Sequence, residues 1–413
     1  MEVDKQQLAL NKMLSGEDIF LTGLGGAGKS YTIEQFMKKR YRTTALCSPT
    51  GIGAVNVGGT TCHKMFGLPI GIPTEAEINT VNSNMKKLFG SGSIKSIIID
   101  EIGILRADML DIIDRKLRIA TGKAKKFGGI QMMGVGDFYQ LEPIRTNKEK
   151  KYFDKNYPSP FCFDSHCWDF ETIELTKSYR QDKKEQVDVL NSIRTKDENF
   201  ERALEYISDN AKPYTLDDPI LHLSCYKKDA AIINDLWYKR LNARSKTYKA
   251  EKTGKWNQTP VDEELSLKVG CRVLIRANNT MNGYVNGDKG VVLAFEPEGV
   301  HVQLDTGVEV FVEPCKWETF KYTTSDHGLN KEVDNTFKQI PLSLGYAITV
   351  HNAQGLTLDN VALDFGDGCF SHGQAYVALS RIRDLTNIRL VDNIYPSDII
   401  CKDRVRKFYR GEL

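Results

Sequence analysis

The octapeptide Gly23-Leu24-Gly25-Gly26-Ala27-Gly28-Lys29-Ser30 constrains this chain more than any other stretch. It follows an apolar run, Ile19-Phe20-Leu21, and precedes residues 31–37, whose pattern predicts a helix. Strand, glycine-rich turn and helix, in that order, are what the G-x-x-x-x-G-K-[ST] phosphate loop needs. The turn can curl so that successive N–H groups point at phosphate oxygens, and the helix N-terminus adds its dipole. Lys29 would reach the β- and γ-phosphates, and the Ser30 hydroxyl would ligate Mg²⁺. A chance glycine loop would carry no second motif, but Ile97-Ile98-Ile99-Asp100-Glu101 supplies one. A β-branched run ending in two acids reads as a buried parallel strand that delivers them to its carboxyl end. Asp100 would hold Mg²⁺ through water, and Glu101 would orient or deprotonate the attacking water. The two motifs together predict a nucleoside triphosphatase.

At 413 residues the chain is long for one core, and about 150 residues per domain suggests two or three. Net charge is only +2, so any nucleic-acid surface must be a local groove. No apolar run approaches the ~20 residues of a membrane span, and residues 1–15 carry Asp4 and no signal-peptide core. Nine scattered cysteines fit reduced thiols. The expected location is the cytoplasm of a bacterial or phage-infected cell, or a nucleus for a viral or eukaryotic source. Cys162, His166 and Cys167 invite a zinc reading, but the aromatic residues around them favour packing.

Alternating strands and helices predict parallel sheets covered on both faces. Helical spacing over 3–14 leads into the phosphate loop, Thr43–Cys47 reads as a strand, and residues 68–93 read as a small insertion. The acidic strand leads to an amphipathic helix, Met109–Ile119, and Ile130–Val135 is another buried strand. A second α/β set includes the strand Ile220–Leu223 and resumes after Gln339. Between them, residues 267–338 break into short strands separated by Gly, Asn and Asp turns, which predicts an inserted antiparallel barrel. Gln140, after the buried strand ending at Val135, is suited to sensing a γ-phosphate. Arg180 and Arg381 lie beside expected element ends, where a guanidinium can serve a phosphoryl group or only a surface ion pair.

Several strings resemble the petite-integration-frequency (PIF-type) DNA helicases of superfamily one. They are Ser48-Pro49-Thr50-Gly51, Gly58-Gly59-Thr60-Thr61-Cys62-His63, Phe127-Gly128-Gly129-Ile130-Gln131, Gly136-Asp137-Phe138-Tyr139-Gln140-Leu141, Ala347-Ile348-Thr349-Val350-His351 and Gly373-Gln374-Ala375-Tyr376-Val377-Ala378-Leu379-Ser380-Arg381. The resemblance implies two RecA-like lobes, residues 1–175 and residues 176–266 with 339–413, around the inserted barrel. It implies ATP and Mg²⁺ as cofactors, and 5′→3′ movement on single-stranded DNA with unwinding of tailed or forked duplexes, by a monomer. Gln6 would read adenine, and Gly23, Gly25, Gly26, Ala27, Gly28, Lys29 and Ser30 would hold the nucleotide. Arg180 and Arg381 would reach the γ-phosphate across the cleft. Thr50, Thr61, His63, Phe66 and His351 fall in or beside DNA-contacting segments, although Phe66 and the histidines also read as structural residues. Arg272, Arg276, Tyr284, Lys289 and Lys316 of the barrel are offered to DNA. Departures are Gly25 and Ala27 for the usual Ala and Thr, Gly103 for Ser, and Asn352-Ala353 for Lys-Ser. The rival reading is a switch or remodelling ATPase that does not translocate.

Overall fold

The computed structural model describes residues 4–413 apart from 70, 182, 216–219, 257 and 326–327. Ile70, in the expected insertion, and Asp326 and His327, in the expected barrel, therefore lie outside the described residues. Strands β1 (Ile19–Gly23), β2 (Thr44–Ser48), β3 (Thr60–Thr61), β4 (Ser96–Asp100), β5 (Gln131–Val135) and β6 (Glu171–Leu175) form one sheet in the order β3-β2-β4-β5-β1-β6. Every neighbouring pair is parallel. All residues of β1 and β2 are buried, because helices cover both faces and leave no solvent side. The register aligns the carboxyl ends. Asp100 and Leu21 both stand opposite Val135, and Gly23 opposite Leu175. The loops that follow β1, β4 and β5 therefore leave the sheet at one edge.

A second, four-stranded parallel sheet runs Ala347–Thr349, Leu221–Ser224, Val361–Asp364, Ile388–Leu390. Both sheets are RecA-like in build, and one apolar core joins them. The joint is sealed by the helix Asp403–Arg410, which lies late in the chain but packs on the first lobe. Its Phe408 ring centroid stands 4.5 Å from that of Phe163, 5.3 Å from Phe138 and 6.1 Å from Phe20. The Tyr409 hydroxyl pairs with Thr22 Oγ1 at 2.7 Å and accepts the Phe138 N–H at 3.2 Å.

The inserted region is antiparallel, as its turns suggest, with a five-stranded sheet built from Arg272–Ile275, Lys289–Phe295, Val300–Leu304, Glu309–Val312 and Leu342–Leu344. Two features depart from the sequence reading. The antiparallel strands begin at Ser245, and Tyr248, Leu265 and Leu267 pack in the insert's core and not in a lobe. The strands Cys315–Ser325 and Gly328–Gln339 form a long hairpin that crosses to the first lobe. There the buried Tyr322 hydroxyl accepts the Leu46 N–H at 2.9 Å, and Phe320 N–H reaches Gly59 O at 3.2 Å. Residues 68–93 hold two short helices, Glu75–Asn79 and Ser83–Gly90, the second burying Met85, Leu88 and Phe89.

Candidate nucleotide site

The phosphate loop links β1 to the helix Lys29–Arg40. Gly28 (φ 86°) and Gly26 (φ 84°) take the left-handed conformation that curls it. The space that a side chain would need at each is filled, by Gln6 over Gly28 and by Arg180 over Gly26. A cavity of about 150 Å³ opens in front of the loop. Its walls include Gly25, Gly26, Lys29, Ser30, Asp100, Glu101, Gln140, Arg180 and Arg381, so the loop, both acids and both arginines meet at one place. Gln354 and Gly355 contribute from the segment that follows His351.

Lys29 Nζ folds back to donate to Gly23 O at 2.7 Å and Leu24 O at 3.0 Å. Burial draws its pKa down to about 8, against the pull of Asp137. Asp100 accepts the Glu101 N–H at 3.0 Å, and burial raises its pKa. Glu101 sits at φ 55°, a left-handed conformation that a non-glycine residue holds only when its surroundings impose it. Burial and the Asp100 charge push its carboxyl up to about 7. Gln140 faces the cavity, its N–H bonded to Asp137 O at 3.0 Å. Ser30 is exposed at the first turn of its helix.

The two arginines are held by neutral oxygens. Arg180 donates to Ser380 O at 2.7 Å and Thr357 Oγ1 at 3.2 Å. Arg381 donates to Val377 O at 3.1 Å and Ser380 Oγ at 2.9 Å. Burial, followed by the nearby Arg381 charge, lowers Arg180 to about 9, and burial also lowers Arg381. Gly25 lies under both guanidinium tips: a Cβ there would stand 3.1 Å from each, which gives the small residue at this position a physical role.

Gln6 lies outside that cavity wall but on the same loop. Its Nε2 donates to Ala27 O at 3.4 Å and its Oε1 accepts the Tyr179 hydroxyl at 3.2 Å. Ala27 is buried beneath. Asp100 and Ser30 offer one carboxylate and one hydroxyl. That donor set suits Mg²⁺, which keeps waters and completes its shell with substrate phosphates. No cluster of three or more His, Cys, Asp or Glu that could hold a metal occurs among the described residues. Cys162 Sγ donates to Ile102 O at 3.4 Å, and His166 stacks on Tyr157, which accounts for that group by packing.

The expected DNA-contacting residues do not share one environment. Thr50 caps the helix Gly51–Asn56, accepting the Gly53 N–H at 3.0 Å, and its hydroxyl also donates to Glu101 Oε2 at 3.4 Å. Thr61 caps the helix Cys62–Phe66 through the Lys64 N–H at 3.2 Å. His63 and His351 are exposed. Phe66 corrects the sequence reading: it is fully buried and stacks on Phe89 at 5.8 Å, so it is a core residue with no face for a base. Tyr284 and Lys289 are likewise buried, Lys289 Nζ donating to Asp359 O and Asn360 O. Arg272 pairs with Asp305, Lys316 with Glu318, and Arg276 reaches Asn352 O beside His351.

Sequence reasoning missed the buried node behind the cavity. Arg194 meets Asp137 Oδ1 at 2.9 Å and Glu174 Oε1 at 2.8 Å, and its guanidinium lies over Tyr139 and Tyr409. Burial works against ionised Asp137, yet Arg194 outweighs it and holds the carboxyl below its ordinary range. Asp137 and Tyr376 lay inside recognised strings, whereas nothing around Arg194 in the sequence marks it.

A family model described as PIF1-like helicase matches residues 4–212. The human ATP-dependent DNA helicase PIF1 is 31% identical over 98% of this chain, which spans 63% of that relative's length. ATP-dependent DNA helicase Pif1 of Bdellovibrio bacteriovorus is 29% identical over 98% of this chain and 91% of its own. The crystal structure of Bacteroides sp. Pif1 in complex with ADP-AlF4 superposes with a TM-score of 0.90 at 32% identity, covering 100% of this chain and 97% of that one. With Bacteroides Pif1 bound to ssDNA, at the same identity and coverage, the TM-score is 0.68.

Proposed function

The chain belongs to the PIF1-like helicase family, and on that footing we propose that it hydrolyses ATP to move 5′→3′ along single-stranded DNA and unwind tailed or forked duplexes. One observation carries this reading. A single cavity gathers Lys29, Ser30, Asp100, Glu101 and Gln140 from the first lobe with Arg180 and Arg381 from beyond residue 176. Transfer of a γ-phosphoryl group requires positioning and charge stabilisation more than covalent chemistry, and these groups supply both. Related Pif1 structures with ADP-AlF4, with ssDNA and with forked dsDNA support the choice of substrates.

In this reading Lys29 leaves Gly23 O and Leu24 O for the β- and γ-phosphates, while the loop N–H groups cradle the remaining oxygens. Gln6 and Tyr179 meet the base. Ser30 and Asp100 would hold Mg²⁺, which would supply neutralising charge at the phosphates. Glu101 takes a proton from the attacking water, and a carboxyl near pH 7 is matched to that task. Gln140 senses the γ-phosphate. Arg180 and Arg381 give up neutral oxygens for the charge that spreads over the transferring group. The Thr50–Glu101 hydrogen bond joins a DNA-facing segment directly to the proton acceptor, a short route by which a bound strand can tune hydrolysis. Thr61, His63 and His351 grip the strand with Thr50.

We assign residues 1–175 to the first lobe and 176–244 with 345–413 to the second, with the antiparallel insert between them guiding DNA. The protein acts as a monomer in the cytoplasm, and among the described residues no helix is long and apolar enough to cross a membrane. An unwinding assay comparing 5′-tailed with 3′-tailed duplexes tests the reading. Unwinding from the 5′ tail, with ATP turnover stimulated many-fold by single-stranded DNA, is expected. ATP turnover indifferent to DNA would favour a switch or remodelling ATPase instead.

A further inference from the structure

Tyr376 is 2% exposed in the middle of the helix Gln374–Ser380, which runs directly into Arg381. Its hydroxyl leaves the second lobe and accepts the N–H of Gly25 in the phosphate loop at 3.2 Å. The same hydroxyl donates to Asp137 Oδ2 at 3.4 Å. Asp137 cannot turn away, since Arg194 and the Tyr139 N–H both hold it. The hydroxyl proton is thereby committed to Asp137, and a lone pair is left for Gly25. Gly25 is also the residue beneath the tips of Arg180 and Arg381. One hydroxyl therefore ties together the phosphate loop, the Asp137 segment that carries Gln140, and the helix that carries Arg381.

We propose that Tyr376 is a positioning residue for ATP hydrolysis, fixing the Arg381 helix against the phosphate loop. The assignment rests on the nucleotide-site reading given above. Phenylalanine would fill the same volume and keep the helix buried, yet it cannot bond Gly25 or Asp137. The change removes no group assigned to contact the base or the strand, so nucleotide and DNA should still bind. The change removes one neutral hydrogen bond and one to a charged partner, which sets the expected loss at about tenfold.

The test is Tyr376→Phe, alone and combined with Arg381→Ala, with DNA-stimulated kcat, KM for ATP, binding of a fluorescent ATP analogue and the melting temperature all measured. The expected result is a kcat about tenfold lower for Tyr376→Phe, with KM and analogue affinity nearly unchanged and the melting temperature lower by no more than a few degrees. In the Arg381→Ala background the same change should cost almost nothing further, because Tyr376 acts through that arginine. A full tenfold loss added to that of Arg381→Ala, a loss confined to KM, or no loss at all would overturn the role of Tyr376. Normal turnover by Arg381→Ala alone would instead overturn the nucleotide-site reading.

Discussion

Arg194 and Arg381 are buried to nearly the same depth, at 4% and 3% exposure, and live under opposite electrostatics. Arg194 is closed on itself by Asp137 and Glu174, with tyrosine rings over its face, and its pKa is raised. Arg381 and its companion Arg180 hold only carbonyl and hydroxyl oxygens, and both pKa values are lowered. Among the described residues neither of the pair is in an ion pair. A buried cation without an anion is costly, and it persists where an incoming anion will repay the desolvation. The difference separates an arginine closed on carboxylates from two that the proposed function assigns to an incoming phosphate.

The largest break in that comparison should come from Lys29→Ala, which is expected to abolish ATP hydrolysis while circular dichroism and the melting temperature stay near wild type. Arg381→Ala and Arg180→Ala should each lower DNA-stimulated kcat by about 10³-fold, in the range known for arginine fingers. Affinity for single-stranded DNA without nucleotide should hardly change. If either variant turned ATP over normally, its guanidinium would belong with Arg194 as a structural group.

Arg194→Ala should do the reverse and unfold the protein more readily. Leaving Asp137 buried and unpaired costs about 3–5 kcal/mol, to be read from urea denaturation. A stability within about 1 kcal/mol of wild type would erase the contrast drawn above.

Glu101 sharpens the comparison from the anionic side. Since its carboxyl titrates near 7, kcat/KM should fall about tenfold per pH unit below that value. For folding, the sign is opposite. Its folded pKa lies above the ordinary glutamate value of 4.5, so its contribution is complete below about 4.5 and is lost as pH rises through about 7. Glu101→Gln should therefore melt higher than wild type at pH 8 and equally at pH 4, while binding nucleotide without turnover. A pH profile flat between 6 and 8 would count against Glu101 as the proton acceptor.

The smallest effect is expected from Gly103→Ser. Its Cβ would stand 3.1 Å from Asp137 O, a contact that a few tenths of an ångström relieve. A twofold change in kcat is the most that this predicts, and a loss above tenfold would mean that Asp137 cannot shift without disturbing the cavity.

What the sequence made legible follows from local physics. The phosphate loop and the acidic strand announce themselves because spacing, glycine and β-branching are all local. Turn residues likewise gave the antiparallel character of the insert. Thr50 was recognisable as a motif residue, but its bond to Glu101 depends on how β2 and β4 pair, which no local pattern encodes. Phe66 could be read as DNA-facing or as core because a motif position says nothing of what stands opposite, here Phe89. Arg194 and the long hairpin were invisible for one reason: each finds its partners far along the chain. Tyr284 and Lys289 looked like surface groups because composition does not reveal which face of a strand is covered.

The helix Asp403–Arg410 bears on how the protein comes into being. Thr22, in the central strand β1, finds the partner for its hydroxyl 387 residues later, and the aromatic cluster around Phe20 and Phe138 is closed by Phe408. During synthesis, at about 5–20 residues per second, the first lobe emerges long before that lid exists. For those tens of seconds its aromatic floor is open to water and to other chains. The nascent protein is therefore expected to lean on a chaperone, and to gain native resistance to proteolysis only once the helix Asp403–Arg410 has left the ribosome.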